Sequence, residues 1–322
     1  MAANHILRWG LLGTARINRA VIPVIRESSR STLEAVASRT IDRAREYASE
    51  WNIPRAIGSY EALLDDSTID AIYIAIPNSL HAEWTIRALD AGKHVLCEKP
   101  LALSVEQVDE IARSARRAGR VAAEAFMYRH HPLTHAVQKM ILDGTIGQLR
   151  LIRGAFTFPL THPADVRFDP ALGGGSLWDV GCYPVSYACL LAGDGPSDVF
   201  GWQEKSESGI DIAFSGMLRF PGGVMAQFDC GFRAAFRAEM EIVGTTGVLR
   251  VDRAFKAGAD SRLLLTNGDV TETLRFDHEG PYVGEIQDMT AAALDGRAPR
   301  VTLAESRRTV EALTRLYASA AA

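Results

Sequence analysis

The chain has 322 residues, 47% of them hydrophobic and 23% charged, with a formal net charge of −4. That length suggests two domains with ordinary globular interiors, and the absence of a long basic or acidic run argues against nucleic acid or an anionic membrane as partner. Four widely spaced cysteines, Cys97, Cys182, Cys189 and Cys230, form neither a C-x-x-C pair nor a metal-ligand spacing; free thiols, a reducing cytoplasmic setting and no metal are expected.

Met1-Ala2-Ala3-Asn4-His5 runs straight into the first strand, so neither a signal peptide nor a membrane span is expected. Residues 6–12, Ile-Leu-Arg-Trp-Gly-Leu-Leu, read as that strand, and Gly13-Thr14-Ala15-Arg16-Ile17-Asn18 turns into a helix ending near Ile25. A glycine turn at this place brings backbone against a dinucleotide pyrophosphate at a helix amino terminus. The match to G-x-G-x-x-G is partial: Gly13 fits the first glycine, while Ala15 and Asn18 replace the second and third. The next strand, 33–37, is followed by Ser38-Arg39-Thr40. An acid here would bond a ribose 2′-hydroxyl. A hydroxyl and a guanidinium instead suit a 2′-phosphate, hence NADP. The alternative is that Arg39 only caps the following helix, which begins near Asp42.

Residues 69–76 are almost continuously apolar, as in a parallel strand buried on both faces. Pro77-Asn78-Ser79-Leu80-His81 follows, then a helix from about 81 to 91. Asn78 either caps that helix or faces a cofactor, and His81 reads as a helix-start residue. Residues 92–100, Gly-Lys-His-Val-Leu-Cys-Glu-Lys-Pro, end a further strand with Glu98 and Lys99 at its carboxyl end. Ligands bind at that end of an open α/β sheet, and a lysine there can hold and donate to a substrate oxygen. The competing reading is an ordinary surface ion pair. Ser104 caps a helix over 105–118, and a strand over 121–126 closes the first domain near residue 125.

Beyond that point the pattern changes. A helix over 133–143 precedes a strand over 149–156. Tyr128-Arg129-His130-His131-Pro132 reads as structural, with Tyr128 a candidate site residue. Gly173-Gly174-Gly175-Ser176 leads into Leu177-Trp178-Asp179-Val180-Gly181-Cys182-Tyr183. Asp179 and Tyr183 are four apart and share one face of a helix, which Ser176 would cap. Pro184 demands either a kink or a separate turn over 176–183. In the preceding run, Asp165 and Arg167 either face substrate hydroxyls or brace the loop as an ion pair. Ile212, Phe214, Gly216, Leu218 and Phe220 alternate, as do Val224, Ala226, Phe228 and Cys230 across a Pro221-Gly222-Gly223 turn. Such turn-linked alternation means an antiparallel sheet. Residues 282–295 and 303–320 read as closing helices.

Together the motifs at 9–17, 76–81, 92–100 and 173–183 resemble the Gfo/Idh/MocA oxidoreductases over nearly the full length. The resemblance implies an α/β chain with an NADP-binding Rossmann domain over 1–125. An α+β domain over 126–322 would carry a large, mostly antiparallel open sheet. It implies that NADP is held by Gly13, Thr14, Ala15, Arg16, Ile17, Ser38, Arg39, Pro77, Asn78, His81 and Glu98. Lys99 would lie beside the nicotinamide, with a cis bond before Pro100. Lys99, Tyr183 and Asp179 would be catalytic, and Tyr128, Arg167 and Trp178 would join them at the substrate. Many members have histidine where this chain has Tyr183. The tyrosine is similar to that of glucose-fructose oxidoreductase, dimeric dihydrodiol dehydrogenase and NADP-dependent D-xylose dehydrogenase. The expected activity is hydride transfer between C1 of an aldose and NADP, with Tyr183 as base assisted by the Lys99 ammonium. A keto-sugar reductase, a trans-dihydrodiol dehydrogenase and a non-catalytic dinucleotide-binding regulator remain alternatives. The open sheet face implies a homo-oligomer.

Overall fold

The computed structural model describes residues 5–162, 164–258, 261–277 and 280–320. They form two compact units: residues 1–126 with 282–303, and residues 127–281 with 304–322.

The first unit alternates strand and helix: β1 (Leu7–Leu12), α1 (Asn18–Glu27), β2 (Ser31–Ala37), α2 (Ile41–Glu50), β3 (Arg55–Ile57), α3 (Tyr60–Leu64), β4 (Ala71–Ile74), α4 (His81–Asp90), β5 (His94–Glu98), α5 (Val105–Ala118) and β6 (Ala122–Ala125). The sheet order is β3-β2-β1-β4-β5-β6, and every pair is parallel. The chain reverses direction across the sheet between β1 and β4, the crevice where such sheets bind ligands. All four residues of β4 are buried, which is why its sequence reads as an unbroken apolar run. α5 shows how local chemistry fixes an element: the Ser104 hydroxyl accepts from Gln107 N at the start, and Gly119 takes a left-handed conformation at the end.

In the second unit, α6 (Pro132–Leu142) leads to β7 (Leu149–Thr157), and α7 (Cys182–Ala192) to β8 (Asp198–Lys205). Then follow β9 (Asp211–Arg219), β10 (Met225–Gly231), β11 (Arg237–Gly244), β12 (Val248–Val251), β13 (Arg262–Asn267) and β14 (Val270–Arg275). The eight strands run in the order β14-β13-β12-β11-β7-β10-β9-β8. Only β7 and β10 pair in parallel. Period-two burial is clearest in β9, where Ile212, Phe214 and Leu218 are buried while Ser215, Met217 and Arg219 are exposed.

Two helices end the chain: α8 (Val283–Asp295) and α9 (Leu303–Ala320). A linear division near residue 125 puts both in the second domain, but α8 packs in the first unit. Its Ile286 and Met289 join Leu11, Val21, Ile22, Tyr73 and Leu96 in one buried cluster. Burying two such side chains contributes roughly 3–6 kcal/mol.

Candidate active site

The dinucleotide turn follows β1. Gly13 has φ +105°, and a Cβ there would lie 2.5 Å from the Ala75 carbonyl oxygen. Only glycine fits this close crossing of two strand ends. Gly13 N–H donates to Ala37 O at 3.0 Å. The buried Asn18 side chain donates from Nδ2 to Gly13 O at 2.8 Å. The amides of Thr14, Ala15, Arg16 and Ile17 donate to no protein group among the described residues. α1 has no side-chain cap and no acid in its first turn. An anion is what such a set of open amides at a helix start receives.

At the end of β2, Ser38 is buried and its N–H donates to Ile57 O at 3.1 Å. Arg39 is exposed and makes no ion pair among the described residues. Thr40 caps α2, accepting from Arg43 N at 3.4 Å, so Arg39 is not the cap. The helix starts one residue before Asp42, at Ile41.

Pro77 precedes a short 3-10 turn over Asn78–Leu80. His81 is almost fully buried and ties two backbone segments together: Nδ1 lies 2.7 Å from Pro100 O and Nε2 2.9 Å from Ile76 O. Both ring nitrogens thus face backbone carbonyls, to one of which the neutral imidazole donates, so the ring is turned into the interior of the unit. Its burial pushes the imidazole pKa down. The Glu98 carboxylate accepts from the buried Tyr73 hydroxyl on the neighbouring strand, so one of its oxygens is committed to the unit's interior. The Lys99–Pro100 bond is cis, and Lys99 itself is half-buried at the carboxyl end of β5. Leu101 N donates to Glu124 Oε1 at 2.9 Å. The lysine loop is therefore fixed through His81 and Glu124.

In the second unit, Leu177–Gly181 form a π-helical turn and α7 starts at Cys182. This resolves the proline conflict. Pro184 stands just past the π turn, two residues after α7 begins, and the helical backbone runs unbroken from the turn into the helix. Ser176 does not cap; its hydroxyl donates to Asp211 Oδ2 at 2.7 Å. Arg167 Nε donates to Asp179 Oδ2 at 2.6 Å, and Nη1 to Asp165 Oδ1 at 3.1 Å. The bracing arrangement is the one present, and Asp179 followed by Asp165 holds the guanidinium firmly charged. The Tyr183 hydroxyl lies 3.9 Å from Met127 Sδ, and its ring packs on Tyr128, Phe156 and Phe255. Trp178 packs against Tyr317, ring centroids 5.5 Å apart.

Tyr128 departs from expectation. It is a core residue, its hydroxyl donating to Ser186 Oγ at 3.0 Å and its ring stacked on Tyr187. Burial pushes its phenol pKa far up, and its hydroxyl is taken up by Ser186 within the unit's interior. His131 caps α6, accepting at Nδ1 from Leu133 N at 3.1 Å, and His135 meets Arg129 O; these histidines are structural. Asp211, by contrast, was not legible: it stands one residue before the alternating run that marks β9.

Comparison with known proteins agrees with this geometry. A family model for an oxidoreductase family with an NAD-binding Rossmann fold matches residues 7–126, and the GFO/IDH/MocA C-terminal domain matches residues 134–250. D-xylose 1-dehydrogenase (NADP(+)) 2 of Haloferax volcanii is 38% identical over 321 residues, covering 98% of this chain and 97% of the relative. Trans-1,2-dihydrobenzene-1,2-diol dehydrogenase of Mus musculus is 34% identical over 251 residues, covering 77% and 75%. The crystal structure of a 3-ketoreductase from Actinomadura kijaniata in complex with NADP and TDP-benzene superposes with a TM-score of 0.90. It is 30% identical and covers 98% of each chain. Matched along both units, the chain belongs to the GFO/IDH/MocA family of oxidoreductases.

Proposed function

We propose that this protein is an NADP-dependent dehydrogenase that transfers hydride between C1 of an aldopyranose, D-xylose-like, and the nicotinamide. The observation that carries the reading is Lys99, half-buried at the carboxyl end of β5 in a parallel sheet that reverses between β1 and β4. The open amides of the Gly13 turn fit a pyrophosphate, and the unpaired Arg39 fits a 2′-phosphate. NADP, when bound, accepts the hydride in oxidation and gives it in reduction.

Within this reading the Lys99 ammonium donates to the C1 oxygen and stabilises the negative charge that develops there. Tyr183 takes the hydroxyl proton as general base. The C1–H bond breaks as hydride leaves, the C1–O bond becomes a carbonyl, and the product is a lactone. Asp179, held by Arg167, accepts from a neighbouring sugar hydroxyl. Thr14, Ala15, Arg16, Ile17, Ser38, Pro77 and Asn78 line the cofactor's path.

The test is the initial rate with D-xylose, D-glucose and a trans-dihydrodiol, each with NADP and with NAD. An NADP-dependent rate on an aldose supports the reading; preference for NAD overturns the role given to Arg39. The likeness to the 3-ketoreductase favours a second reading, a reductase of nucleotide-linked keto sugars. Silence on all three substrates with turnover of a TDP-linked 3-keto sugar and NADPH would establish it instead.

We also propose a homo-oligomer through the open sheet face, in the cytoplasm. Phe200, Trp202, Met217 and Met225 stand exposed there, Trp202 at 65%, and Phe200 is the cross-strand neighbour of Met217. Exposed apolar surface of this kind is characteristic of an association site. Light scattering should report a dimer for the wild type and a smaller species for Trp202→Glu; the same mass for both would refute this interface. Four free, buried cysteines suit a reducing compartment.

A further inference from the structure

We infer that Asp211 and Tyr317 are positioning residues that set the aim of Asp179 and Tyr183; the inference rests on the catalytic role proposed above for Tyr183. π-helical turns are rare and are found mostly at functional sites, and this one is gripped from outside its own helix. Asp211, at the start of β9, is buried. Its Oδ2 accepts from Ser176 Oγ at 2.7 Å and from Leu177 N at 2.7 Å. Its Oδ1 accepts from the Tyr317 hydroxyl at 2.6 Å. A carboxylate from a neighbouring strand thus satisfies the first N–H of the π turn, a task usually left to a local cap.

Tyr317, from α9, makes a second hold on the same turn. Its ring packs on Trp178 at 5.5 Å and edge-on to Phe214 at 5.8 Å. Residues 176, 177 and 178 are therefore fixed in succession, and Asp179 follows with its N–H donating to Gly175 O at 3.0 Å. Tyr183 lies one turn further along. Gly175 completes the device: with φ +120°, a Cβ there would sit 2.3 Å from Asp211 Oδ1 and 2.8 Å from the Tyr317 hydroxyl. Loosening the carboxylate lets the π turn rotate, which moves both the Asp179 carboxylate and the Tyr183 hydroxyl.

The variants are Tyr317→Phe, which keeps the ring and removes one donor, and Asp211→Ala. Asp211→Asn serves as the conservative control, since its amide oxygen accepts from Ser176 and Leu177 while its NH2 donates to the Tyr317 oxygen. On the best aldose, kcat should fall about 10-fold in Tyr317→Phe and further in Asp211→Ala, the scale of sub-ångström misplacement of a reacting group. KM for NADP should not change, and Asp211→Asn should recover most of the activity. Hydrogen exchange of residues 175–183, read without substrate, should quicken in Tyr317→Phe. Faster exchange with unchanged kcat would overturn the inference, as would unchanged exchange with a raised KM for NADP. If Asp211→Ala does not fold, Tyr317→Phe against Asp211→Asn carries the same decision. A wild type silent on every aldose, keto sugar and diol would bring down the functional reading, and this inference with it.

Discussion

Gly13→Ala separates close packing from backbone preference at the cofactor turn. The added methyl meets the Ala75 carbonyl oxygen at 2.5 Å and Ile76 Cγ2 at 2.8 Å. Ala75 cannot easily give way, because its own N–H donates to Leu12 O at 3.1 Å and continues the β1–β4 pairing. A non-glycine residue at φ +105° costs about 1–3 kcal/mol in backbone strain, and overpacking against backbone adds about 1–3 kcal/mol. The sum, about 2–6 kcal/mol, is a large part of the stability of an ordinary domain. It corresponds to a fall in Tm on the order of 10 °C. Gly92→Ala is the matched control: Gly92 has φ +77°, but a Cβ there meets nothing within 4 Å. It bears the strain alone, about 1 kcal/mol. Calorimetry should give the smaller shift for Gly92→Ala, and NADPH fluorescence titration should show at least about tenfold weaker binding only for Gly13→Ala. Equal Tm shifts in the two variants, or unaltered NADPH binding by Gly13→Ala, would refute the packing argument.

Lys99→Met and Tyr183→Phe should each lower kcat on the active substrate by about 10²–10⁴-fold, the usual range for a lost acid–base group. The NADPH Kd should stay within about threefold in both; near wild-type turnover in either would remove that residue from the reaction. Arg39→Asp should cut the NADP-over-NAD ratio of kcat/KM by about 100-fold, since it replaces a charge-assisted bond by a like charge; an unchanged ratio would show that the 2′-phosphate lies elsewhere. His94 gives a pH test of stability. Burial first, then Arg120, pulls its pKa down to about 4, and its Nδ1 must stay unprotonated to accept from Val121 N at 3.1 Å. In the unfolded chain a histidine titrates near about 6.5. The stabilisation is therefore complete above about pH 6.5 and is lost as pH falls toward 4, on the order of 1–2 kcal/mol after allowance for partial exposure. Between pH 7.5 and 5, Tm should fall more steeply for the wild type than for His94→Asn, and parallel slopes would exclude His94 as the cause.

Periodicity and capping chemistry made most elements legible. The apolar run over 69–76 gives β4, Ser104 marks the start of α5, and the alternation from Ile212 onward gives β9 and β10. These signals are local, and so is what they can say. Nothing in the amphipathic pattern of 282–295 tells which sheet the helix covers; Ile286 and Met289 fit either core by composition, and it is the first unit's cluster that they join. Pro184 announced an irregularity in the helix but not its form, since a π turn has no side-chain signature of its own. His81 does start α4, as its place in the sequence suggests; its contacts with the carbonyls of Ile76 and Pro100 were not legible, because those are backbone atoms that sequence does not mark. The loop pairing of Arg167 with Asp165 was one of two open readings. Its pairing with Asp179 needed the fold to bring 167 and 179 together.

The imperfect glycine fingerprint has a physical explanation in this fold. The fingerprint states a backbone requirement: a tight turn, close approach to the pyrophosphate, and close packing of helix on strand. Gly13 meets the first, and the Ala75 carbonyl leaves no alternative to it. At the third position Asn18 replaces absence of bulk by a bond. Its buried amide donates to Gly13 O at 2.8 Å and so fastens the helix start to the turn it would otherwise merely lie beside. At the second, the Ala15 carbonyl accepts from the Tyr47 hydroxyl of α2 at 3.2 Å, which turns that peptide's oxygen toward α2. Two glycines are thus replaced by two side-chain contacts that hold the same backbone, and the amides of residues 14–17 remain open among the described residues. Counted by glycines alone this turn is a weak match, whereas the hydrogen bonds that fix it determine its backbone closely. The Asp179–Tyr183 turn is built on the same logic. Its geometry is held by Asp211, Tyr317 and Arg167, none of them inside the motif that made the turn recognisable.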